Sequence, residues 1–172
     1  MEAVTQLPRG REFTRSDLER MPDDGHRYEL IDGCLVVTPA PKRSHQRAAF
    51  GLARLLHDAC PSELEVLMAP FDVVLGANTV LQPDVLVASR DDFTERDLPT
   101  APLLAVEVLS PSTRLVDLNL KRARFEAAGC PSYRVVDPDV PPSRPGTSWT
   151  ARTSRSRPSW ASRPSRRGCR RA

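Results

Sequence analysis

Two apolar runs in this chain each carry a single carboxylate at a point where a buried strand is expected. They are Gln82-Pro83-Asp84-Val85-Leu86-Val87 and Leu103-Leu104-Ala105-Val106-Glu107-Val108-Leu109. An acid inside such a run is costly unless something pairs with it. The fold is therefore constrained to bring Asp84 and Glu107 either to partners or to one another. Two acids converging on one spot would make a site for a hard divalent cation.

The surrounding residues extend the pattern. Glu107 is followed by Ser110-Pro111-Ser112-Thr113 and a helix-like stretch carrying Lys121. Lys121 lies eight residues beyond Thr113, about two helical turns in, and can reach back over the strand ends. Glu29, isolated in Tyr28-Glu29-Leu30-Ile31, is a fourth candidate. Asp117 stands four residues before Lys121, the spacing of an ordinary helix-surface ion pair. His26 and His45 sit in polar settings and read as surface residues.

With 172 residues and 40% hydrophobic content, the chain is long enough for one α/β domain with its own core. No stretch approaches the roughly 18 apolar residues of a membrane span, and the first residues lack the basic and apolar regions of a leader. A cytoplasmic location and no membrane partner are expected. Cys34, Cys60, Cys130 and Cys169 are widely scattered, so neither a zinc site nor a disulfide framework is supported.

The net charge of +3 averages two unlike segments. Residues 1–138 hold 16 Lys and Arg against 21 Asp and Glu, a net −5, whereas residues 139–172 hold nine Arg against Asp139 alone, a net +8. The break begins at Val140-Pro141-Pro142 and marks the end of the globular pattern.

Within the body, Thr14 and Asp17 form a helix start, and Asp32-Gly33 between Tyr28–Ile31 and Cys34–Val37 is a tight hairpin turn. From Ser44 to about Ala59, Ala48, Ala49, Leu52, Leu55 and Leu56 recur at helical spacing, predicting an amphipathic helix on a sheet. Leu64–Met68, Phe71–Leu75, Val85–Ala88 and Leu103–Leu109 read as strands, the last two central because both faces are apolar. Leu115, Leu118, Phe125 and Ala128 mark a second helix ending at Gly129, and Tyr133–Asp137 is a final strand. The order predicts an α/β sandwich with an antiparallel-to-mixed sheet.

Cleaving a phosphodiester needs an activated water and neutralisation of transition-state charge, which carboxylate-held Mg²⁺ and a nearby ammonium supply. In combination the chain resembles the Uma-type family of restriction endonucleases within the PD-(D/E)XK nuclease superfamily. The matching segments are Arg27–Gly33, Gln82–Val85, Val106–Thr113, Asp117 with Lys121, and Gly129–Tyr133 leading into Val135–Pro138. The resemblance covers about residues 10–138. It implies a restriction-endonuclease-like fold, a mixed sheet flanked by helices, and a DNA-cleaving hydrolase using Mg²⁺ or Mn²⁺. Asp84 and Glu107 would be metal ligands, Lys121 the catalytic lysine and Glu29 an accessory acid. DNA is the implied substrate, and a homodimer is compatible with it. In the superfamily the lysine usually lies two residues after the glutamate, where this chain has Leu109, so Lys121 must supply the charge from the following helix. Arg134 stands where the family commonly has an aromatic residue.

Residues 139–172, with nine Arg, seven Ser and five Pro, cannot bury enough apolar surface to fold and are expected to be disordered. Back-translated with G/C-rich codons and read two nucleotides out of phase, Ser143 to Arg157 can encode a strand, an Asp-Gly turn and a second strand. A frameshifted tail that has lost a terminal hairpin is therefore expected, leaving an unpaired sheet edge near Tyr133–Asp137. Two other functions compete with the nuclease: a catalytically silent nucleic-acid-binding module using the Arg tail with Trp149 and Trp160, and an inactive remnant.

Overall fold

The computed structural model describes residues 4–6 and 11–139. The expectations for a disordered or frameshifted tail fall, from Val140 onward, outside the described residues.

Among the described residues ten strands form two mixed sheets, where the sequence predicts one. Six of them make one sheet: β1 (Val4–Gln6), β2 (Arg27–Ile31), β3 (Cys34–Thr38), β5 (Asp72–Gly76), β6 (Thr79–Leu81) and β8 (Asp97–Leu98), in the order β1-β3-β2-β6-β5-β8. The other sheet has the order β10-β9-β7-β4, from β4 (Leu64–Met68), β7 (Val85–Ser89), β9 (Leu104–Val108) and β10 (Tyr133–Val136). All described pairings are antiparallel except β5 with β8 and β9 with β10. Among the described residues β10 is an edge strand of the smaller sheet.

The central strands β7 and β9 are apolar on both faces because each face has its own cover. Val85, Val87, Leu104, Val106 and Val108 pack against helix α2 (Arg43–Ala59), where Ala49 and Ala53 let the helix approach closely. Leu86, Ala88, Ala105 and Leu109 point the other way, into a core shared with Ile31, Val36, Val73, Leu81 and Leu98 of the larger sheet and with Phe125 and Tyr133. Phe125 stacks on Tyr133 with ring centroids 5.5 Å apart. Leu55, placed on the buried stripe by spacing alone, is instead 62% exposed.

The Asp-Gly hairpin forms as its sequence dictates. Asp32 and Gly33 take φ of 51° and 76°, and β2 pairs with β3 from Ile31↔Cys34 outward. A Cβ on Gly33 would also meet the Glu12 Cβ at 2.6 Å, so glycine is required twice over. Ahead of helix α1 (Arg15–Leu18), the Asp17 carboxylate accepts the Thr14 N–H at 2.9 Å, as the capping pattern predicts.

The second helix departs from expectation. Val116–Lys121 is wound as a π-helix, continuing into helix α3 (Arg122–Ala127), which stops before Gly129 at φ +83°. Leu115, read as part of its apolar stripe, is exposed. Such wide turns are frequent at functional sites, and this one carries both Asp117 and Lys121 inward. No helix among the described residues is long and apolar enough to cross a membrane.

Candidate active site

The β7–β9 register sets Val85 opposite Val106, and one further step sets Asp84 opposite Glu107. Directly opposed residues of an antiparallel pair project to one face, with Cβ atoms roughly 5 Å apart. That face is the one carrying Leu86 and Ala105, turned toward the larger sheet. From there β2 presents Arg27, Glu29 and Ile31 at alternate positions, so Glu29 enters the same interlayer space.

Lys121 closes the group from the π-helix. Its Nζ lies 2.8 Å from Glu29 Oε1, 3.2 Å from Glu107 Oε1 and 3.6 Å from Asp117 Oδ1. An ammonium has three donors, and here each faces a carboxylate. Lys121, Glu29 and Glu107 are each 1% exposed. Asp117 is also buried, correcting the surface ion pair suggested by its spacing from Lys121. The π turn is held in place by Tyr133, whose hydroxyl donates to the Asp117 carbonyl at 2.7 Å, and by Thr113, whose Oγ1 donates to Asp117 Oδ2 at 2.7 Å.

Asp84 is gripped from three directions. Its Oδ2 accepts the Val108 N–H at 2.8 Å and faces His45 Nε2 at 3.0 Å, and its Oδ1 accepts Arg27 Nη1 at 2.9 Å. The Arg27 Nε lies 3.8 Å from Glu29 Oε2, and the Gln82 N–H donates to Glu29 Oε1 at 2.7 Å.

These contacts divide the acids electrostatically. Burial would raise the Asp84 carboxyl, but the His45 hydrogen bond, the Arg27 charge and the Val108 N–H hold it well below the usual range. Burial works on Glu29 in the same sense, and Lys121 and Arg27 outweigh it, so that acid too is lowered. Glu107 goes the other way. Burial pushes it well above an ordinary glutamate, and Asp84, Asp117 and Glu29 add to the rise, with Lys121 the opposing charge. Burial also raises Asp117. The Lys121 ammonium is held above its usual value: burial disfavours it, but Glu107 and Glu29 more than compensate.

A cleft of about 1290 Å³ opens beside the group, lined among others by Arg27, His45, Gln82, Asp84 and Ser110–Thr113. Of the four residues singled out from the sequence, Asp84 lines this cleft, while Glu29, Glu107 and Lys121 lie behind its wall. Among the described residues no three His, Cys, Asp or Glu side chains form a ready metal cluster. The lone pairs of these acids are turned instead toward Lys121, Arg27 and His45.

The structure thus brings together Asp84, Glu107, Lys121 and Glu29. It adds two residues, Arg27 and His45, as partners of Asp84. Arg27 stands two positions before Glu29, and strand alternation alone puts both on one face. His45, read as a surface residue, is only 13% exposed in its side chain and reaches Asp84 across 39 positions of sequence, with no local signal to announce it. His26 is half exposed, as expected.

The chain is thus a two-sheet α/β domain built round a buried lysine among acids. The crystal structure of a "putative nuclease belonging to DUF820" from Anabaena variabilis ATCC 29413 matches this chain with a TM-score of 0.63 at 17% identity, over 74% of this chain and 75% of that one. At this identity the likeness is one of fold. Residues 15–144, well over half of the chain, match the Uma2 family profile, described as "Putative restriction endonuclease", and the chain belongs to that family. No curated protein matches it.

Proposed function

We propose that this chain is a metal-dependent endonuclease that hydrolyses DNA phosphodiester bonds, with Mg²⁺ or Mn²⁺ held by Asp84 and Glu107. The observation that carries this reading is the placement of Glu107 opposite Asp84 with the Lys121 ammonium 3.2 Å from its carboxylate. The donor set fits a hard cation, since both ligands offer carboxylate oxygens. The local charge fits as well: the buried acids Glu29, Asp84, Glu107 and Asp117 outnumber the cations Lys121 and Arg27. Burial, with the neighbouring acids adding to it, pushes the Glu107 carboxyl well above the usual range, and a bound cation would offset that cost of holding its charge.

When bound, the cation would lower the pKa of a water and neutralise charge on the phosphoryl oxygens. Asp84, facing the cleft, would present the ligand oxygen nearest the substrate. Lys121 would place a fixed positive charge beside Glu107, from where its field would add to the cation's on the phosphoryl oxygens. Glu29, anchored by the Gln82 N–H, would fix the Lys121 Nζ without touching substrate. The test is conversion of supercoiled plasmid to nicked or linear DNA by the full chain with Mg²⁺ or Mn²⁺. Cleavage that stops with EDTA is expected, and cleavage indifferent to EDTA would sink the proposal.

One observation favours a second reading, a catalytically silent nucleic-acid-binding module. Glu107, Lys121 and Glu29 lie behind the cleft wall and satisfy one another. In that case the Arg-rich segment would supply affinity, and salt-sensitive DNA binding would persist with no cleavage under any metal.

A further inference from the structure

His45 and Arg27 are the two side chains of the cleft wall that touch the proposed metal ligand Asp84 from outside the β7–β9 pair, and His45 does so from helix α2. It sits in the first turn of α2, with Nε2 3.0 Å from Asp84 Oδ2 and a buried Nδ1 that has no partner. The proton is therefore assigned to Nε2, where it donates to the carboxylate, leaving Nδ1 bare.

A carboxylate offers about four acceptor sites, two on each oxygen. On Oδ2 both are taken, by the Val108 N–H at 2.8 Å and by His45. On Oδ1 one is taken, by Arg27 Nη1 at 2.9 Å. A single site on Oδ1 stays open.

We propose that His45 is a positioning residue that fixes the Asp84 carboxylate so that it binds a divalent cation through Oδ1 alone. This rests on the metal-binding reading above and goes beyond it, by assigning the imidazole a role on Asp84 rather than on substrate. Without His45, the carboxylate is held on the Oδ2 side by one backbone N–H, can rotate, and offers a second oxygen. Partners of this kind typically change metal affinity about 10- to 100-fold. Arg27 cannot replace it, because its Nη1 grips the other oxygen.

The test is Mn²⁺ titration of the full chain followed by electron paramagnetic resonance, comparing wild type, His45→Ala, His45→Gln and Glu107→Ala, with circular dichroism confirming that each is folded. His45→Ala should weaken Mn²⁺ binding about 10- to 100-fold. His45→Gln, whose amide N–H can reach the same carboxylate, should recover most of the loss. A general packing role would not distinguish the two variants in this way. Unchanged affinity in His45→Ala, or a loss in His45→Gln equal to that in His45→Ala, would overturn the proposal. A wild-type chain that binds Mn²⁺ no better than Glu107→Ala would instead overturn the metal site itself. The hydrogen bond is then decided without metal, by ¹⁵N correlation spectra of the His45 ring: protonated Nε2 with bare Nδ1 agrees with it, and an Nδ1-protonated tautomer refutes it.

Discussion

Replacing Lys121 by Met keeps most of the side-chain volume and removes the one ammonium that three buried carboxylates share. Glu29 and Glu107 lie 2.8 and 3.2 Å from it, and both are fully buried. Removing one member of such a buried group typically costs about 3–5 kcal/mol, because the remaining charges lose their partner. A domain of this size is stable by only about 5–15 kcal/mol, so a large share of its stability is at stake. At about 2–4 °C per kcal/mol, the melting temperature should fall by roughly 6–20 °C. The loss should also depend on pH. Glu107 already has a raised carboxyl in the folded protein, so the folded state binds more protons than the unfolded one above the ordinary Glu value. Stability linked to this group therefore rises as pH falls toward that value and declines as pH climbs. Lys121→Met raises Glu107 further and lifts the hold on Glu29, so the variant should recover stability on going from pH 8 to pH 5. Urea denaturation at several pH values, read by circular dichroism, measures this. A Lys121→Met protein within about 1 kcal/mol of wild type at pH 7.5, or an equal deficit at pH 5 and pH 8, would rule out this role for the buried ammonium.

Three smaller perturbations test the scaffold. Tyr133→Phe removes the donor to the Asp117 carbonyl and should cost about 1–3 kcal/mol in urea denaturation, since a buried acceptor is left unpaired. Gly33→Ala forces a side chain onto a residue at φ +76° with its Cβ 2.6 Å from Glu12, and should destabilise by more than about 1 kcal/mol, visible as a lower melting temperature. Burial pushes the Cys130 thiol up to about 11, so at pH 8 only about one molecule in a thousand carries its thiolate. Alkylation of the native protein, mapped by peptide mass, should label the less buried Cys34 well before Cys130, and the reverse order would contradict the placement of these thiols.

The parts of the fold legible in the sequence were those whose physics is local. Asp32-Gly33 encodes its own turn, Gly129 its own helix stop, and the runs around Val85 and Val106 are apolar on both faces because α2 covers one and the larger sheet the other. The meeting of Asp84, Glu107, Lys121 and Glu29 was foreseeable for a different reason. An acid in a buried run must find a partner, and the family resemblance pointed to Lys121, which pairs with Glu107 and Glu29, whereas Asp84 pairs with Arg27 and His45. What stayed hidden was set by tertiary context. Thr79–Leu81 is too short to stand out as a strand, yet it joins β2 to β5. Helical spacing puts Leu55 and Leu115 inside, but both lie in solvent, Leu115 just ahead of the π turn. Nothing near His45 signals its contact with Asp84, which exists only once α2 is laid across the smaller sheet.

The proposed cation on Asp84 and Glu107 is tested by the single-turnover rate of plasmid nicking in Mg²⁺, measured for the wild-type chain and for Glu107→Gln, which replaces one ligand oxygen with an amide at nearly constant shape. Losing several kcal/mol of transition-state stabilisation predicts a fall of about 100-fold or more in the variant, with both rates abolished by EDTA. A Glu107→Gln protein that nicks DNA at the wild-type rate would contradict the account.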